Sequence, residues 1–389
     1  MNWSTGEFVA KTFFGLEEVL ADEAKELGLS NVKVLNRAVS FEGGYKDMIR
    51  ANYALRTALA ILKPIKEFKF REKDDFYQQI KDIPWEKVFD PQKTFVIKGA
   101  VRSKTFPNSQ FPILVCKDAI VDRFKEKTGT RPDIHTKRAA IVIDIFVHEN
   151  QARISLNTSG TPLFQRGYRQ ETGRAPLNEV LAAGLIRMTG WKADRPFYDL
   201  FCGSGTICIE AGLMAHGLPP QLERKYFAFM HYKNFRHSDY EDVKAEFPSR
   251  PKREIVPIVG VDINTNMIRT ARTNLRGTSL AKTVTFEAKD FRDVVLPEDG
   301  GVIVSNPPYG ERIGDNVEEL YADLGTFIKH KAKGFDSYVI SSSREALNEI
   351  GLRPSRKWRV FNGKLECSYR KYETFKGTMK EFKTEKSGE

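Results

Sequence analysis

The sequence predicts an α/β fold. Its larger, C-terminal part is a mostly parallel sheet covered by helices on both faces, and two smaller α+β units precede it. Three observations carry this. From about Glu171 onward, near-continuous apolar strands ("PFYDLFC", "IVPIVGVDI", "TVTFEAKD", "GVIVSN", "DSYVISSS") alternate with helical stretches, the pattern of strands buried on both faces. Before that point the strands are short, alternate in hydropathy and are interleaved with amphipathic helices. At 389 residues the chain exceeds one typical domain and suits about two or three.

The first expected unit, 1–62, opens on a strand-like "EFVAKTF". A helical "GLEEVLADEAKELGL" follows, in which Leu16, Val19, Leu20, Ala24 and Leu27 share one face. Strand-like "VKVLNRAVSFEG" and helical "YKDMIRANYALRTALAIL" complete a small β-α-β-type unit. The second, 63–165, holds the alternating strand "KTFVIKGAVRS", the helix "ILVCKDAIVDRFKEKTG" with its glycine stop, and a hairpin in "RAAIVIDIFVHENQARISLNTSG". Its loop "RSKTFPNSQFPI" mixes Arg, Lys, Asn, Ser and Phe. That mixture suits phosphates and stacked bases, and it equally suits a solvated loop. The third, 166–389, carries the apolar strands and ends in a hairpin near "WRVFNGKLECSYRKY"; from Phe375 the chain is polar, lysine-rich and expected to fray.

Composition narrows the function. The formal net charge of +11 suits a polyanionic partner, most simply nucleic acid, and equally a soluble surface that lysines only keep dispersed. No apolar run approaches the ~20 residues needed to span a bilayer, so no membrane partner is expected. The start "MNWSTGEFVAKTFFGLEEVLADEA" carries acids among its apolar residues and does not read as a signal peptide. The four cysteines show no C-x-x-C and the six histidines no H-x-x-x-H. A reducing cytoplasm is therefore expected, with no disulfide framework and no metal.

In open α/β sheets the ligand lies outside the carboxyl ends of the strands, so the residues that follow each strand are the candidates. After the first comes "DLFCGSGTICIEAGLMA". Asp199 closes the strand, Gly203 and Gly205 permit a tight turn, and a helix opens whose amides face that turn. The third glycine of a dinucleotide fingerprint is replaced by Cys208 and there is no P-loop lysine. Alone, the turn could serve nicotinamide, flavin, nucleotide or nothing. After the second strand Asp262 suits the two hydroxyls of a ribose. The long "HGLPPQLERKYFAFMHYKNFRHSDYEDVKAEF" before it must be an insertion of helices and loop. After the third, Asp290 can accept from an adenine amino group while Phe291 covers the ring. The fourth strand runs into "SNPPYG". Asn306 offers a side-chain carbonyl, Pro307 a backbone carbonyl, and Tyr309 a face to stack on. Two adjacent acceptors beside an aromatic ring describe a receptor for an exocyclic amino group on a planar base. Held so, its nitrogen lone pair can attack with no covalent nucleophile from the protein.

"DLFCGSGT", "GVDI", "AKDF" and "SNPPYG", in this order, resemble the motifs of class I S-adenosyl-L-methionine-dependent methyltransferases that modify amino groups. "ISLNTSGTPLFQRGYRQETGRAPLNEVLAAGLIRMTGW" is similar to the junction between a THUMP domain and the methyltransferase in bacterial rRNA guanine-N2 methyltransferases of the YpsC-like group. "NGKLECSYRKYE" resembles their closing hairpin, and nearly the whole chain, from about Phe8 to Phe375, can be laid on the family. The resemblance implies a ferredoxin-like unit over 1–62, an RNA-binding THUMP domain over 63–165, and a Rossmann-like methyltransferase sheet with an antiparallel closing hairpin over 166–389. It implies that Asp199, Cys202, Gly203, Ser204, Gly205 and Thr206 line the methionine end of S-adenosyl-L-methionine. Asp262 would hold its ribose, and Ile263, Asp290 and Phe291 would flank and edge its adenine. Asn178 and Leu181 would close over the cofactor, while Asn306, Pro307 and Tyr309 hold the target base. The expected activity is methyl transfer to guanine N2 in large-subunit rRNA. The rivals are adenine-N6 methylation of DNA or RNA, and an RNA-binding assembly factor that keeps the fold without turnover.

Overall fold

The computed structural model describes residues 5–170, 177–251, 254–280, 283–308 and 316–374. The expected Tyr309 lies outside them. The chain divides into two compact units, one from Met1–Thr12, Leu20–Leu163 and Arg224–Glu246, the other from Phe13–Val19, Phe164–Glu223 and Phe247–Glu389.

The first unit is built on β1 (Gly6–Lys11), α1 (Glu17–Glu26, from Leu20), β2 (Ser30–Leu35), β3 (Ala38–Gly43), α2 (Tyr45–Ala54) and β4 (Ala60–Lys69), followed by α3 (Lys73–Lys81), β5 (Phe95–Arg102), α4 (Phe111–Thr128), β6 (Ile141–His148) and β7 (Gln151–Asn157). Its strands form one seven-stranded sheet in the order β2-β3-β1-β4-β7-β6-β5. β4 joins its two halves: Leu62 pairs with Val9 of β1 on one side and with Asn157 of β7 on the other. Pro64, which can donate nothing to a ladder, sits where the β4–β7 register shifts. This corrects the expected helix over 45–62. The helix ends at Ala54, Leu55 turns to extended backbone (ψ 116°), and the apolar run that follows is strand. With Ala60 to Lys63 all buried, no alternation was present to betray a strand. The loop "RSKTFPNSQFPI" is also less open than expected. Phe106 is buried, its ring 5.3 Å from Phe70 and 5.1 Å from Phe76, so it packs a core and stacks no base.

The second unit holds α5 (Glu179–Met188), β8 (Phe197–Asp199) and α6 (Thr206–Ala215). The chain then leaves it: Arg224–Glu246, containing α7 (His237–Ala245), belongs to the first unit. There Glu246 receives Arg50 at 2.7 Å, Asp242 receives Lys46 at 2.7 Å, and Arg224 donates to the carbonyls of Ser159 and Thr161. The second unit resumes with β9 (Ile258–Asp262), α8 (Thr265–Arg276), β10 (Val284–Ala288), β11 (Gly301–Ser305), α9 (Val317–Lys331), β12 (Phe335–Ser341), α10 (Arg344–Glu349), β13 (Arg356–Asn362) and β14 (Leu365–Glu373). The sheet order is β10-β9-β8-β11-β12-β14-β13. β10 through β12 are parallel, and β14 and β13 close the sheet antiparallel. The chain steps outward from β8 to β10 and then jumps back to β11, so the order reverses between β8 and β11. That reversal opens a crevice at the carboxyl ends of the strands. Among the described residues no helix is long and apolar enough to cross a membrane.

Candidate active site

A cleft of about 430 Å³ opens at that reversal, within the range of small-ligand sites. Asp199, Cys202, Gly203, Ser204, Thr206, Asp262, Ile263, Asp290, Phe291 and Asn306 all line it. Four strand ends thus converge as the sequence predicts. Gly205 and Pro307 do not line it, and neither does Asn178, whose side chain instead caps α5 by accepting from Val180 N at 2.9 Å and Leu181 N at 3.4 Å. Leu181 is fully buried.

The turn after β8 is held by backbone geometry. Gly203 has φ 50° and a Cβ there would meet no atom within 4 Å, so its backbone faces open space. Gly205 caps α6 at φ 83°, and a Cβ there would lie 2.6 Å from the Phe286 ring. Gly203 N donates to Asp262 Oδ2 at 2.9 Å, tying the first strand end to the second. The other oxygen of Asp262 accepts from Asn264 N at 2.8 Å.

Burial sets the charges. The Asp199 carboxyl is 1% exposed. Burial pushes its pKa up to about 7, against the pull of the Phe201 N–H and the Ser305 hydroxyl, and Asp262 raises it further. Burial also raises Asp262, opposed by the two N–H groups it accepts. The Cys202 thiol is driven well up by burial and by the neighbouring Cys208, Asp199 and Asp262. It stays protonated, which fits a wall and not a nucleophile.

Two further findings concern the third and fourth strands. Phe291 lines the cleft but is only 4% exposed, packed 5.0 Å from Phe201 and 5.8 Å from Phe327. Its ring belongs mainly to the core, and Phe201 is the more open aromatic neighbour. Asp290 accepts from Arg292 N at 2.9 Å and from the Arg292 guanidinium at 2.7 Å. Asn306 Oδ1 is buried in the cleft wall and has no hydrogen-bond partner among the described residues. A buried acceptor left unanswered is costly, about 1–3 kcal/mol, and invites a donor.

Sequence reasoning missed the brace behind the turn. Arg169 donates to Thr206 Oγ1 at 3.0 Å, Ser204 Oγ at 3.4 Å, the Leu177 carbonyl at 3.2 Å and Glu179 Oε1 at 2.7 Å. Next to it Gln170 N donates to Asn274 Oδ1, and Asn274 Nδ2 donates to the Ser204 carbonyl. One guanidinium and one amide therefore fix the glycine turn from outside the cleft. The signal was present only as "RGYRQ" in the junction segment, far in sequence from the residues it holds.

A glycine turn into a helix, carboxylates on three adjacent strand ends and an acceptor on the fourth that is unanswered among the described residues are the layout of an α/β nucleoside-cofactor site. Comparison with known proteins makes this particular. Residues 166–371 match the RMKL-like methyltransferase domain, 7–62 the RlmL ferredoxin-like domain and 70–157 the THUMP domain. A protein named "Putative RNA methyltransferase slr0064" from Synechocystis sp. is 33% identical over 96% of this chain and 98% of its own length. "Ribosomal RNA large subunit methyltransferase K/L" of Psychromonas ingrahamii is 35% identical over 92% of this chain, which spans about half (49%) of that longer protein. Among solved structures, "SMU.472, a putative methyltransferase complexed with SAH" is 27% identical with a TM-score of 0.86, over 96% of this chain and 100% of that one. A "predicted N6-adenine-specific DNA methylase" from Listeria monocytogenes is 28% identical with a TM-score of 0.84, over 95% and 96% of the two chains. The chain belongs to the RMKL-like methyltransferase family, with a ferredoxin-like and a THUMP domain ahead of the methyltransferase domain.

The cofactor suits the residues present. Open space beside Gly203 admits a ligand against the backbone, Asp199 and Asp262 line the cleft with carboxylates, and Ile263 stands 71% exposed at its rim.

Proposed function

We propose that this protein transfers a methyl group to an exocyclic amino nitrogen of RNA, and that the nitrogen is N2 of a guanine in large-subunit rRNA. The observation that carries the reaction type is the Oδ1 of Asn306 at the tip of β11, which has no hydrogen-bond partner among the described residues. An amino group is the donor that answers it. The Pro307 carbonyl is the second acceptor in this reading, and Tyr309 supplies the stacking face. Held between two acceptors, the amine keeps its lone pair directed at the methyl, and it loses a proton to water as the new C–N bond forms. Bound S-adenosyl-L-methionine supplies an electrophilic methyl on a sulfonium sulfur. Asp199 and the 202–206 turn would hold its methionine end, Asp262 its ribose, and Ile263, Asp290 and Phe291 its adenine. The Arg169 brace keeps that turn in register.

The RNA assignment rests on the THUMP match over 70–157, on the basic charge of +11, and on what the two named relatives are said to act on. Adenine N6 is the second reading: the Asn-Pro-Pro-Tyr run serves either amino group, and the description of the Listeria protein favours adenine. Mass spectrometry of rRNA nucleosides from a strain lacking this gene tests the proposal. Loss of one N2-methylguanosine, restored by the wild-type gene, is expected; an unchanged N2-methylguanosine content overturns it.

A further inference from the structure

The second unit carries a second groove, of about 480 Å³, between α8 and the end of β10. Its lining includes Arg269, Arg272, Arg276, Thr265 and Thr273, and no carboxylate. The three arginines stand at i, i+3 and i+7, one stripe of the helix, about 10 Å long at the α-helical rise. Ala271 and Leu275 are buried against the sheet side of α8, and the buried Ile268 forms the apolar floor of the groove. None of the three arginines has a salt bridge to a carboxylate among the described residues, whereas Arg195, Arg292, Arg344 and Arg359 of the same unit each pair with one. Arg272 is held in place by donating to the Phe286 carbonyl at 2.7 Å. Three guanidinium groups and two hydroxyls without an acid among them match one ligand chemistry, the oxygens of phosphodiesters.

The groove adjoins the cleft. Thr265 follows Asn264, which lines the cleft, and Ala288 lies two residues before Asp290, which also lines it. Across the sheet β10 is three strand spacings from β11, about 14 Å. A structured RNA that presents a base at Asn306 therefore has its flanking backbone within reach of α8.

Resting on the reading that the substrate is RNA, we infer that the Arg269–Arg272–Arg276 groove of the methyltransferase unit binds the phosphates flanking the target base. This binding surface is separate from the THUMP domain. The catalytic unit then contributes its own share of RNA affinity and of its salt dependence.

The test compares three full-length proteins: the wild type, R269Q/R276Q, and the control K333Q. Lys333 is exposed and precedes β12, at the amino ends of the strands and away from the cleft. Arg272 is left intact because its bond to Phe286 is structural. Binding to large-subunit rRNA transcribed in vitro is measured by filter retention over a series of KCl concentrations. Cofactor affinity is measured by calorimetry as a check on folding. R269Q/R276Q is expected to bind RNA on the order of tenfold more weakly at low salt. Its log–log salt slope should be shallower by about 2, near 1 for each phosphate no longer neutralised, with S-adenosyl-L-methionine affinity unaltered and K333Q like the wild type. Wild-type RNA binding with an R269Q/R276Q affinity and slope equal to it overturns the groove assignment alone. A wild-type protein that binds no RNA overturns the substrate reading and the groove assignment together.

Discussion

Replacing Gly205 by Ala adds one methyl group at a tightly packed point of the glycine turn after β8. The residue sits at φ 83°, where an L side chain is strained by roughly 1–2 kcal/mol. The new Cβ would stand 2.6 Å from Phe286 Cζ and 3.1 Å from Ala271 Cβ. The same edge of the Phe286 ring also lies against Gly260, where a Cβ would be 2.7 Å away, so the ring is tightly seated between the two glycines. Overpacking of this kind costs about 1–3 kcal/mol, so the total is roughly 2–5 kcal/mol. For a unit of this size that is a fall in Tm on the order of 4–20 °C. Gly203→Ala is the internal comparison: φ is 50° but no atom lies within 4 Å, so only the strain of about 1–2 kcal/mol applies. The assay is thermal denaturation of both variants, followed by calorimetric titration with S-adenosyl-L-methionine. G205A should melt well below G203A and bind the cofactor at least tenfold more weakly than the wild type. Equal melting of G205A and wild type would refute the packing argument.

Asp199→Asn tests the buried carboxyl. Its folded pKa, pushed up to about 7, lies above the unfolded value near 3.9. The folded state therefore holds the proton that the unfolded chain has released. Stability is full below about pH 4 and declines as pH rises toward 7, by on the order of 4 kcal/mol once ionisation is complete. In the absence of cofactor, wild-type Tm should fall between pH 5 and 8, and D199N should remove most of that fall. Arg169→Met leaves the Glu179 carboxylate, 6% exposed, without its cation, at a cost of about 3–5 kcal/mol. R169M/E179Q should recover part of the Tm by calorimetry, while the loosened 204–206 turn keeps cofactor affinity low. Recovery of both would reduce Arg169 to a partner of Glu179 alone.

What could be read in advance follows from how local each signal is. The strand-end acids and the Asn-Pro-Pro-Tyr run are contiguous motifs, and one topological rule places strand ends around one crevice. Asp199, Asp262, Asp290 and Asn306 accordingly line one cleft. The parallel sheet with its antiparallel hairpin was legible for the same reason, as runs of apolar residues between helices. The misses all depend on contacts distant in sequence. Nothing near Arg169 shows that its guanidinium reaches Thr206. Nothing in "AKDF" shows that Phe291 packs on Phe327. The end of α2 was hidden because a run buried on both faces has neither a helical nor a strand period. The placement of Arg224–Glu246 in the first unit goes with contacts no local pattern announces: Arg224 on the Ser159 and Thr161 carbonyls, the Tyr240 ring against Tyr53, and ion pairs to Lys46 and Arg50.

The most direct test is transfer itself. Purified full-length protein is given S-adenosyl-L-methionine tritiated in its methyl group, with rRNA from a strain lacking the gene in one arm and DNA in the other. The products are digested and chromatographed. Label is expected in N2-methylguanosine from the rRNA alone, and none from an Asn306→Ala protein that still binds the cofactor. Label in N6-methyladenine, or transfer by the Asn306→Ala protein at the wild-type rate, would contradict the assignment.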